Sequence, residues 1–98
     1  MKQTIGSEVK IERNPGIISS PMDNETVMMS IEKGRYFGID AVGTRIWELL
    51  EQPRTISGLC EILLQEFDVE PDRCRADVTG FVEKLLEKDL VQAAADEQ

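Results

Sequence analysis

The sequence predicts an α+β domain in which a small three-stranded antiparallel sheet is followed by three helices. Two observations carry the prediction. Apolar residues alternate with polar ones over the first forty positions, then recur every three or four positions over the last sixty. Turn-forming pairs cut the first part into short pieces, as a meander requires. A chain of 98 residues has material for one core, so both patterns belong to one domain.

Val9 and Ile11 alternate with polar neighbours and run into Asn14-Pro15-Gly16, so residues 1–16 form either an edge strand or an irregular arm. Residues 17–22 are extended and broken by Pro21. Asp23-Asn24 then makes a tight turn into the strand Thr26 to Ile31. Lys33-Gly34 supplies the next turn, because glycine tolerates positive φ, and the chain returns as Arg35-Tyr36-Phe37-Gly38-Ile39. From Asp40, an N-cap, the spacing of Val42, Ile46, Leu49 and Leu50 predicts a helix over about 40–52. Pro53 stops it. Thr55 caps a second helix whose stripe is Ile56, Leu59, Cys60, Leu63, Leu64 and Phe67. Pro71 opens a third, lined by Cys74, Val78, Phe81, Val82, Leu85 and Leu86. Leu90-Val91 suggests a closing strand, and residues 92–98, polar and Ala-rich, read as a frayed tail.

Composition excludes several function classes. The sequence has no histidine, which removes the commonest general base and imidazole metal ligand. Cys60 and Cys74 form no C-x-x-C pair and sit on apolar stripes, as two small buried hydrophobes would. The carboxylate pairs Glu48/Glu51 and Glu83/Glu87 have the spacing of ordinary solvated helix faces. No catalytic residue, cofactor or metal is expected. The N-terminus carries no signal-peptide pattern and no stretch has the length of a membrane span, so the chain reads as cytoplasmic.

The layout is that of a winged helix-turn-helix domain, which raises DNA binding as an alternative. A net charge of −8 repels phosphate, and the third helix balances Arg73, Arg75, Lys84 and Lys88 against Asp72, Asp77, Glu83 and Glu87. No nucleic acid and no membrane are expected; neutral or basic partners are.

The segment from Arg35-Tyr36-Phe37-Gly38-Ile39-Asp40 through Val42-Gly43 and Ile46-Trp47-Glu48-Leu49-Leu50, then Pro53-Arg54-Thr55-Ile56, resembles the PqqD-like family, the leader-peptide recognition domains of ribosomally made, modified peptides. Asp77-Val78 and Phe81-Val82-x-x-Leu85 fit the same pattern, so the resemblance covers about residues 17–91. The Ile-Asp and the Val-Gly step look most like the stand-alone leader-binding B proteins of lasso-peptide clusters. Proteins of pyrroloquinoline quinone synthesis usually carry Leu-Asn there, which makes a chaperone of that or another modified peptide the alternative.

The resemblance implies a non-enzymatic adaptor. A precursor's leader would add as an antiparallel strand to the sheet edge Arg35 to Gly38, beside a wall of the third helix around Cys74, Asp77, Val78 and Phe81. The precursor would then pass to a separate enzyme, a cysteine leader protease. Arg35, Arg73 and Arg75 would meet carboxylates of the leader. Tyr36 and Phe37 face opposite sides of their strand, so one is core and the other is available. Met28, Met29 and Ile31 fit the sheet core, and Met29 and Ile31 also suit a surface that moulds to a peptide. Trp47 is expected inside. An unpaired edge also admits self-pairing, so the chain is expected as monomer or dimer.

Overall fold

The computed structural model describes residues 8–22 and 25–94. It contains, in order, β1 (Ile11–Arg13), β2 (Ile17–Met22), β3 (Glu25–Ser30), β4 (Arg35–Ile39), α1 (Ala41–Leu49), α2 (Ile56–Glu66), α3 (Pro71–Glu87) and β5 (Val91–Ala93). The turn expected at Asp23-Asn24 and residues 95–98 of the tail lie outside the described residues. Strands β2, β3 and β4 form the antiparallel meander, and the three helices follow it: the winged-helix arrangement read from the sequence.

A second sheet completes it. β1 pairs antiparallel with β5, Ile11 opposite Ala93 and Arg13 opposite Val91. Gln92 and Ala93, read as the start of a frayed tail, are therefore strand residues, because β1 supplies the backbone partners that composition could not reveal. On its other side β1 is held by Arg54, with Ile11 N to Arg54 O at 2.7 Å and Arg54 N to Ile11 O at 3.0 Å. Within the N-terminal piece, Ile11–Arg13 is a strand held on both sides, and Ile11 is fully buried.

The helix starts obey their sequence signals. Asp40 and Thr55 accept from the amides of Gly43 and Gly58 at 2.9 and 3.0 Å, each satisfying one orphan donor of the first turn. Pro71 opens α3, where its missing N–H costs nothing. α3 ends in a Schellman motif: Leu90 N donates to Leu85 O at 2.9 Å, Asp89 N to Leu86 O at 3.1 Å, and Asp89 takes φ +60°. Helix α1 is shorter than expected, ending at Leu49, where Leu50 caps it and turns inward to the core.

Register sets the two faces of the meander. Met28 lies opposite Phe37 and Met29 opposite Tyr36. Thr26, Met28 and Ser30 are buried beneath the helices, with Phe37 and Ile39 packed alongside. Ile18, Met29 and Tyr36 make one row across the opposite face, where Ile18 and Tyr36 are exposed. The core joins Ile46, Trp47 and Leu50 of the α1 region to Leu59 and Leu63 of α2 and Val78, Val82 and Leu85 of α3. Arg13 closes it from β1: its guanidinium lies 4.6 Å from the centroid of the Trp47 ring, and its Nε and Nη2 donate to Trp47 O at 3.0 and 2.5 Å.

Candidate functional site

β3 has neighbours on both sides, which leaves β2 and β4 as the edges of the meander. They are not equivalent. The break expected at Pro21 does not occur, since β2 runs through it with Pro21 opposite Thr26, but Pro21 has no N–H to donate, whereas β4, Arg-Tyr-Phe-Gly-Ile, carries an amide at every position. The β4 edge lies along α3. Between them is a cavity of about 470 Å³ with Met28, Phe37, Leu85 and Leu90 as its apolar lining, Tyr36, Gly38 and Ile39 along the strand, and Lys84 and Lys88 on the helix. Lys88 Nζ stands 5.6 Å from the centroid of the Phe37 ring, a cation over an aromatic face.

A second cavity, of about 640 Å³, opens where the start of α1 meets the end of α2 and the start of α3. Val42, Ile46, Leu63, Phe67, Val69, Val78 and Phe81 give it an apolar surface; Asp40, Asp68, Glu70 and Asp77 bring carboxylates, and Arg73 the one guanidinium. Arg45 braces its walls. It donates from Nε to Glu66 Oε1 at 2.9 Å and from Nη2 to Glu66 Oε2 at 2.7 Å, tying α1 to the last turn of α2, and also reaches Glu48. That bond holds the Glu66 carboxyl below the usual carboxylate range and raises the Arg45 guanidinium.

Asp40 and Phe81 line both cavities, so the two adjoin at these residues and are together called the trough. Phe81 is seated by a missing side chain: a Cβ on Gly43 would stand 2.9 Å from Phe81 Cζ and 3.0 Å from Cε1. Gly43 thus admits the ring of an α3 residue.

The expected wall of α3 is thus divided. Phe81 faces the β4 edge, but Cys74, Asp77, Val78 and Arg73 line the second cavity, because α3 extends well past the end of the short strand. Tyr36, Phe37 and Gly38 line the strand-side cavity, with Tyr36 72% exposed and Phe37 half-buried against the core. Arg35 opens β4 and is exposed. Met29 is half-buried on the far face of the sheet and borders neither cavity. Ile31 is not sheet core: it lies beyond β3 in the turn before Gly34 and is 62% exposed, since the strand ends at Ser30. Val42 and Phe67, assigned to apolar stripes, are 51% and 40% exposed and border the second cavity. Sequence reasoning missed Lys84, Lys88 and Asp40 as trough residues. Their signal was present in the helical spacing 81, 84, 88, which puts both lysines on the Phe81 side of α3.

Cys60 and Cys74 are free and buried, as expected. Burial and the neighbouring Cys74 push the Cys60 thiol up to about 11. Among the described residues no cluster of three or more potential metal ligands occurs, and no helix is long and apolar enough to cross a membrane.

Comparison with known proteins decides the family. The family described as coenzyme PQQ synthesis protein D (PqqD) matches residues 25–91. The chain belongs to the PqqD family. Among solved structures this PqqD-family chain is similar to "TbiB1 in Complex with the TbiA(beta) Leader Peptide", with 32% identity, a TM-score of 0.79, and coverage of 87% of this chain and 99% of that one. It shares its fold with "Lasso peptide synthetase B1 complexed with the leader peptide", at 20% identity, TM-score 0.75 and coverage of 84% and 96%. It also shares it with the PqqD truncation of PqqCD from Methylobacterium extorquens, described as a stand-alone RiPP recognition element, at 22% identity, TM-score 0.77 and coverage of 94% and 99%. No match was found among curated proteins.

Proposed function

We propose that this PqqD-family chain is a leader-peptide recognition element: it binds the leader of a ribosomally synthesised precursor by strand addition to β4 and hands the precursor to a separate enzyme, the leader protease of a lasso-peptide system. The observation that carries the reading is the unblocked β4 edge running beside a trough with α3, while the other edge strand includes Pro21, which lacks an N–H. Added main-chain bonds would supply sequence-independent affinity, and the trough would select alternate side chains. A structure 32% identical over most of the chain is a complex with a leader peptide, which supports the same use of this fold. The reading assigns no catalysis to the chain: beside carboxylates, one arginine, two lysines and apolar side chains, the trough lining holds the buried thiol of Cys74 and the hydroxyl of Tyr36, and the reading gives neither a chemical role.

The test is a fluorescence-anisotropy titration of the protein into labelled leader peptide of its precursor, with a scrambled peptide and duplex DNA as controls. Saturable binding to the leader alone is expected. Salt-sensitive binding to the duplex without leader binding would overturn the reading in favour of a DNA-binding regulator. Phe81→Ala should weaken leader binding more than Asp77→Ala, because Phe81 borders both parts of the trough and the Asp77 carboxylate only one. Circular dichroism of both variants should remain that of the parent. Handover is tested by adding the protease: precursor cleavage should accelerate only when this chain is present.

A further inference from the structure

The two ends of the trough carry opposite charge. At the start of α3 the lining has Asp40, Asp68, Glu70 and Asp77 against Arg73, whose Nε is 3.8 Å from Asp77. Beside β4 it has Lys84 and Lys88, with the shared Asp40 its one carboxylate. Glu83 and Glu87 of the same helix line neither part, and Asp89 is engaged by Lys33 Nζ at 2.6 Å. Asp40 is partly used as the cap of α1, which leaves Asp68, Glu70 and Asp77 as the surplus at that end.

The polarity has a direction relative to the strand. Lys88 sits over Phe37, in the middle of β4, and Phe81 sits against Gly43, just beyond its end. Moving along β4 toward Asp40 is therefore moving from the lysines to the carboxylates. A peptide paired antiparallel to β4 travels the other way. Its N-terminal flank meets the carboxylates and its C-terminal flank meets the lysines.

We propose, resting on the leader-binding reading above, that the trough selects its peptide by charge order: Lys or Arg on the N-terminal side of the strand-adding segment, Asp or Glu on the C-terminal side. Apolar side chains between them occupy the surface around Phe81. The chain's overall charge of −8 attracts a basic peptide in any order, so composition alone does not report on the trough. Order does.

The experiment uses two peptides of identical composition built on the leader of the precursor. Both keep its central segment; one carries Lys-Lys before it and Glu-Glu after it, the other the reverse. At low salt the first should bind about tenfold more tightly, the scale at which a few exposed ion pairs are exchanged for like-charge contacts, and the gap should close as salt rises. The exposed double variant Lys84→Glu, Lys88→Glu should shrink or invert the preference while its circular dichroism stays unchanged. Equal affinity of the two peptides at low salt, with the unmodified leader binding normally, would overturn the charge-order proposal alone. An order preference untouched by the double variant would also overturn it. Failure of the unmodified leader to bind would strike the leader-binding reading instead.

Discussion

Replacing Gly43 by alanine sets two effects against each other at one atom. Alanine is the better helix former by up to about 1 kcal/mol, less in the first turn where Gly43 lies. Its Cβ, however, would stand 2.9 and 3.0 Å from two Phe81 ring carbons and 3.3 Å from Asp40 Oδ1. Ordinary contact begins near 3.5 Å, so the ring must retreat by roughly half an ångström from a core-packed position, at an overpacking cost of about 1–3 kcal/mol. The expected net is a loss of about 1 kcal/mol. In a Phe81→Ala background the ring is gone and the same substitution should gain about 0.5 kcal/mol, which makes a coupling of about 1.5 kcal/mol across the cycle. Urea unfolding followed by Trp47 fluorescence measures all four corners, since that indole is buried. An equal effect of Gly43→Ala in both backgrounds would refute the claim that the glycine is there for the ring.

Three other outcomes follow from particular contacts. Arg13→Met should cost about 2 kcal/mol in urea unfolding, because it removes two hydrogen bonds from a charged donor to Trp47 O and the stacking on its ring. Asp89→Gly should raise Tm by roughly 2–4 °C in a thermal melt, since relief of the φ +60° backbone outweighs loss of an exposed pair with Lys33. The Cys60 thiol, with its pKa lifted to about 11, should resist alkylation at pH 8 in the native state and react once urea is added. Its folded pKa lies above the unfolded one, so the associated stability is whole below pH 9 and is lost as pH rises through 11, an alkaline decline that Cys60→Ala should flatten.

The helices were legible because their signals are local: Asp40, Thr55 and Pro71 stand where caps and first turns demand them, and the stripes of α2 and α3 became the core. Val42 and Phe67 escaped, since a periodic pattern marks an apolar face without saying where the neighbouring element stops short of covering it. Ile31 was misplaced by one position, enough to move it from sheet to turn. The wall of the site was assigned to the right helix but not to the right turns. Which part of α3 meets β4 depends on a crossing that no residue spacing encodes, and so Lys84 and Lys88 were read as part of the charge balance of the helix. Gln92 and Ala93 show the same limit: their partner strand lies some eighty positions earlier in the chain.

The β1 and β5 pairing also orders the events of synthesis. While the ribosome extends the chain, β2 to β4 and the helices find partners within a few tens of residues, so the trough's components can assemble locally. Ile11 has left the tunnel long before Ala93 exists, and closing a loop of that length carries an entropic cost that one short strand pair, together with the Arg54 bridge, must offset. The completed sheet therefore acts as a final latch, and the β4 edge stands on a sealed core only after the last strand has been delivered.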